Sequence, residues 1–144
     1  MMTKEDEIFN QHQQDVRTRA DSLGKAVFVL SGGALTVSIG IFLKSDRLPL
    51  TNSALIAIKY SWWLLFATIV FGVVMLATII VRDYLFGERW RKVLDKVPNI
   101  DASGKPAKLE VLIVVLGALG IITFILGMFG LAFVASETIM GFHT

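Results

Sequence analysis

The chain has no cysteine, two histidines and three prolines, and only 18% of its 144 residues are charged. Without cysteine there is no disulfide framework, no thiolate metal site and no thiol nucleophile. His12 and His143 both lie outside the apolar stretches, so paired imidazoles for a haem inside a bundle are missing. The formal charge of +2 is too small to point to a nucleic-acid partner. No nucleophile motif, metal-ligand cluster or phosphate loop occurs, and no cofactor is expected; SGGAL at Ser31 to Leu35 has no lysine and sits in mid-span. A lipid-modifying or peptide-cleaving enzyme would need buried acids, histidines or a serine-base pair, none of which this sequence offers.

What is abundant is apolar: 54% of residues are hydrophobic and the mean hydropathy is +0.65. Three stretches carry no charge at all, Ala26 to Leu43, Tyr60 to Val81 and Val111 to Ala135, of 18, 22 and 25 residues. At ~1.5 Å per residue each can cross a hydrocarbon core of ~30 Å, the first only just. The material outside them is too small and too polar for a separate catalytic domain. The expected fold is all-α: an integral membrane protein with transmembrane helices over 26–43, 60–81 and 109–136.

The segments between these spans have their own character. Residues 1–25 are mostly polar and carry five acids, the wrong layout for a cleavable signal peptide, so they read as mature protein. Thr3 followed by Asp6 resembles a helix start, and the helix is expected to run straight into the first span. Along it Asp15 with Arg19 and Asp21 with Lys25 stand in the favourable acid-first order. Phe9, Val16 and Leu23 recur every seven residues, but His12 and Arg19 interrupt any coiled-coil seam. In the connection 44–59, Pro49 and the cluster Thr51, Asn52, Ser53 read as a turn and a helix start. Tyr60, Trp62 and Trp63 mark a membrane boundary.

After Val81 the sequence continues as a basic amphipathic helix until Pro98. Phe86, Trp90, Val93, Leu94 and Val97 share one face, with Arg89, Arg91, Lys92 and Lys96 over much of the rest. Arg89, Trp90, Arg91, Lys92 and Lys96 are the candidate contacts for anionic lipid headgroups or a cytoplasmic protein partner; ordinary charge bias between the two sides of a membrane would produce the same face. Asn99 to Ala107 is a Pro/Gly/Ser linker, with Pro106 near the third helix start. The N-terminal segment and the connection 82–108 together hold 11 lysines and arginines, the other side only Lys44, Arg47 and Lys59. That asymmetry places residues 1–25 and 82–108 in the cytoplasm, and the connection 44–59 and the tail 137–144 outside.

Polar chemistry within the spans is limited to hydroxyls: Ser31, Thr36, Ser38, Thr68, Thr78 and Thr123. They can bond a carbonyl one turn back, and with no interior charge, proton- or ion-coupled transport is not expected. Lys59 and Glu137 are both at the outer boundary, where an ion pair is expected. Two stripes of small residues stand out: Gly32, Thr36 and Gly40 in the first span, and Gly117, Gly120, Thr123, Gly127 and Gly130 in the third. Small residues let backbones approach in lipid, where apolar burial gives no drive to associate. Each stripe can be an oligomer seam, a pore-lining face or a packing surface within one chain.

The run KAVFVLSGGALTVSIGIFL, Lys25 to Leu43, with its polar lead-in helix and Leu-Ser-x-Gly-Ala-Leu core, resembles the opening span of small bacterial inner-membrane proteins. Some proteins of that plan are similar to membrane-embedded effectors of antiphage systems. The resemblance covers one span of three, and this chain has a third span that two-span effectors lack. It implies a self-associating effector that alters membrane permeability, without assigning any site residue. The alternative from the residues alone is an accessory or anchoring subunit of a larger membrane complex.

Overall fold

The structure, a computed structural model, describes residues 3–44, 50–95 and 107–141. It holds three long helices: α1 (Lys4–Lys44), α2 (Asn52–Leu94) and α3 (Ala107–Gly141). Each is long and apolar enough to cross a membrane, so the chain has the build of a multi-pass membrane protein. Both α1 and α2 exceed a bilayer core, because the polar lead-in and the basic segment continue them without a break. Residues 82–94 therefore extend along the axis of α2 and do not turn aside at its apolar end.

Local chemistry sets the helix starts. At α1, Thr3 and Asp6 form a reciprocal capping box: the Thr3 N–H donates to Asp6 Oδ2 at 3.0 Å and the Asp6 N–H to Thr3 Oγ1 at 3.4 Å. At α2, Thr51 Oγ1 accepts from the Ala54 N–H at 3.3 Å. That cap starts the helix at Asn52, eight residues before the expected span boundary at 60. Lys25 pairs with Asp21 at 2.7 Å, whereas Asp15 and Arg19 form no ion pair. Pro49, Pro98, the linker residues 99–106 and His143 lie outside the described residues.

The core is thin. Its buried apolar residues are Ala54, Ile58, Leu65 and Val134, and its buried polar ones are Ser31, Ser38, Ser61 and Thr68. Large side chains such as Val29, Val114 and Phe129 stand at 70% exposure or more. An outward surface so apolar over three helices fits a hydrocarbon surrounding, where small polar residues on the inside let helices close. α2 and α3 pack along most of their apolar length, α1 joins chiefly through α2, and α1 and α3 barely meet.

Candidate functional site

The third-span stripe is the main seam of the molecule. Facing pairs run Met75 with Gly117, Phe71 with Gly120, Thr68 with Thr123, Leu65 with Gly127 and Ser61 with Gly130, one steady antiparallel register. The approach tightens toward the C-terminal end of α3. A Cβ on Gly117 would sit 3.4 Å from Met75 Sδ and one on Gly120 3.8 Å from Phe71 Cβ. On Gly127 it would lie 2.9 Å from Leu65 Cγ and 3.3 Å from the Leu65 backbone nitrogen, and on Gly130 it would overlap Ser61 Oγ. At Gly127 and Gly130 a Cβ would come within 4 Å of α2 backbone atoms, and at Gly117 and Gly120 it would meet α2 side chains, so within this chain the stripe is covered by α2.

Midway along that seam the Thr68 and Thr123 hydroxyls meet at 2.9 Å, and each also reaches a carbonyl of its own helix, Thr68 that of Leu64 at 3.0 Å and Thr123 that of Leu119 at 2.9 Å. Every hydroxyl in the pair is thus satisfied without water, as a hydrocarbon surrounding demands.

Different residues join α1 to α2. The Phe28 ring occupies the space that a Gly72 Cβ would need. Ten residues along, Trp62 Nε1–H donates to Ser38 Oγ at 2.9 Å, and Ser38 donates to the Leu35 carbonyl at 3.0 Å. The Phe42 and Trp62 rings meet edge to face at 6.2 Å. Trp62 therefore acts as a clasp between α1 and α2. Ser31 is fully buried, and its Oγ has no hydrogen-bond partner, unlike the other interior hydroxyls.

The first-span stripe has no such cover. A Cβ on Gly32, Gly33 or Gly40 meets nothing within 4 Å, and the Thr36 hydroxyl turns back to the Gly32 carbonyl at 2.8 Å. At ~100° per residue the Gly32, Thr36, Gly40 line is rotated by about 150° from the Ser31 and Ser38 face. Two stripes that read alike in sequence thus differ in place: one is filled by α2, the other looks outward.

Of the candidate headgroup contacts, Arg89, Trp90, Arg91 and Lys92 are exposed along the last turns of α2, and Lys96 lies outside the described residues. Arg91 and Lys92 both approach Glu88, at 3.7 and 3.9 Å. Phe86 and Trp90 stack edge to face at 6.3 Å. Lys59 and Glu137 form no ion pair, against the sequence expectation. The α2–α3 register explains why, since it sets Lys59 level with Ala132, over a turn from Glu137. Sequence reasoning also missed Gly72 and the Ser38–Trp62 bond. A lone glycine and a single tryptophan carry no spacing signal, so only the pairing of helices could find them.

Comparison with known proteins adds no family: no protein-family model, no curated protein and no solved structure matches the chain.

Proposed function

We propose that the chain is a non-enzymatic protein of a bacterial cytoplasmic membrane that acts by helix association, with residues 1–25 and 82–108 cytoplasmic and the C-terminus outside. The observation that carries this reading is the contrast between the two stripes. The α3 stripe is spent on α2, while Gly32, Thr36 and Gly40 leave a smooth, uncovered strip on α1 where another helix can approach closely. A second copy of the chain is the proposed partner at that strip. The likeness of Lys25 to Leu43 to the first span of antiphage effectors favours a role in which assembly alters membrane permeability. Arg89, Trp90, Arg91, Lys92 and Lys96 are the proposed contacts for anionic headgroups or a cytoplasmic trigger protein, which would act by binding one assembly state better than another.

Orientation is testable because the chain contains no cysteine. A Ser103→Cys variant should stay unlabelled by an impermeant maleimide in intact cells and react once the membrane is opened. For activity, purified protein in liposomes should leak small dyes when assembled. Vesicles that stay tight, together with a monomeric mass, would leave the accessory or anchoring role in its place.

A further inference from the structure

Between α1 and α2 lies a groove of about 360 Å³ that no residue of α3 lines. Its walls are Leu35 and Ile39 of α1 with Trp62, Trp63 and Phe66 of α2, and Lys59 is its one charged lining residue. The register given by Phe28 against Gly72 and Ser38 against Trp62 puts Ile39 level with Ser61 and Leu35 level with Leu65. Lys59 therefore stands at one mouth of the groove, and the apolar walls lead from it toward the middle of the spans. The seven residues from Lys59 to Phe66 cover ~10 Å, which stays within one leaflet of a ~30 Å hydrocarbon core.

The walls are held by contacts of their own. Trp62 is fixed by its bond to Ser38 and by the Phe42 ring, and Trp63 meets Phe66 edge to face at 6.1 Å. Lys59, by contrast, forms no hydrogen bond or ion pair among the described residues. Of the two acids at this end of the sequence, Glu137 is over a turn away in height. The other, Asp46, lies outside the described residues and stands in sequence between Lys44 and Arg47. This end thus carries three cations, Lys44, Arg47 and Lys59, against two acids. A second copy side by side would bring its Glu137 at the same offset in height, together with spans that have no charge.

We propose that the groove holds one acyl chain of an anionic phospholipid from the leaflet at the Lys59 end, with the lipid phosphate on the Lys59 ammonium. A lysine at the edge of a span lays its stem along apolar surface and keeps its charge at headgroup height, where phosphate is the abundant anion. Beside hydrocarbon, an unfilled groove forfeits dispersion contacts that an alkyl chain restores, and walls already fixed lose little freedom on binding. The inference rests on the proposed membrane placement, with Lys59 at a span boundary, but on neither self-association nor the side that faces the cytoplasm.

The chain contains three tryptophans, and Trp90→Phe leaves Trp62 and Trp63 as its only indoles. In that background the full chain is placed in vesicles of equal phosphatidylglycerol and phosphatidylcholine, where one lipid or the other carries brominated chains that quench indole fluorescence on contact. Quenching should report an enrichment of phosphatidylglycerol of about fivefold, the size expected for one lysine at a membrane surface. Lys59→Gln should bring the two lipids close to equality, whereas Lys44→Gln, at the same end but outside the groove, should leave the enrichment unchanged. Ile39→Phe fills the groove from the α1 side and should lower the enrichment too, which keeps a test in hand if Lys59→Gln does not fold. Equal quenching by the two lipids, an equal effect of the two glutamine variants, or an unchanged enrichment in Ile39→Phe overturns the proposal and leaves the membrane placement intact. Indoles unquenched by either lipid would overturn both.

Discussion

The Thr68 hydroxyl lies 2.9 Å from that of Thr123, the one side-chain hydrogen bond joining α2 to α3 among the described residues. Because each hydroxyl also has a carbonyl in its own helix, loss of the pair leaves neither orphaned. A double-mutant cycle with Thr68→Val and Thr123→Val, read by unfolding in detergent, should give a coupling of about 0.6 kcal/mol, the usual size for hydrogen bonds between membrane helices. A coupling above about 2 kcal/mol would mean that the seam depends on this contact more than its geometry allows.

The glycines of α3 should differ in tolerance along the seam. Gly127→Ala and Gly130→Ala force a methyl against Leu65 and Ser61 and should destabilise by about 1–3 kcal/mol. Gly120→Ala meets only ordinary contact and should be neutral or better, since alanine favours the helix. Thermal unfolding in one detergent ranks the three, and equal melting temperatures would refute the graded approach.

Two buried serines of α1 should respond in opposite ways. Ser31→Ala removes a hydroxyl that has no partner and should be neutral or stabilising by up to about 1 kcal/mol. Ser38→Ala strips Trp62 Nε1–H of its acceptor and should cost about 1–3 kcal/mol. Indole fluorescence should report the second change and not the first.

At the far end of α1 the capping box is sensitive to acid. Hydrogen bonds from the Thr3 side chain and then its backbone hold the Asp6 carboxyl below its ordinary value of 3.8. A depressed carboxyl contributes stability above its unfolded pKa and loses it as the pH falls through the folded value. Amide exchange in the first turn of α1 should therefore accelerate as the pH drops below the usual carboxylate range. Asp6→Asn should remove that pH dependence, and a persistent acid transition in the variant would assign it elsewhere.

Much of this architecture is legible in the sequence because lipid imposes a coarse rule, that a span must be long and uncharged. The three helices and the Thr3 and Thr51 starts follow from local pattern alone. Partner choice is not local. Gly32, Thr36 and Gly40 carry the same small-residue spacing as the α3 stripe, yet nothing in their own segment says that α1 turns its Ser31 and Ser38 side to α2 instead. Deciding that required the Phe28 ring to find Gly72 and the Trp62 indole to find Ser38, contacts between residues far apart in sequence. The Lys59 and Glu137 pair failed for the same reason, since equal distance from a boundary does not fix helix register.

The measurement that bears most directly on the proposed self-association is oxidative cross-linking in native membranes. Gly40→Cys places a thiol on the uncovered strip of α1, and Ser31→Cys places one inside the α1–α2 contact. Because two copies meeting about a two-fold axis present the same strip to each other, Gly40→Cys should form a disulfide-linked dimer and Ser31→Cys should remain monomeric. Monomers alone from Gly32→Cys, Thr36→Cys and Gly40→Cys, under conditions that oxidise exposed thiols, would contradict the account.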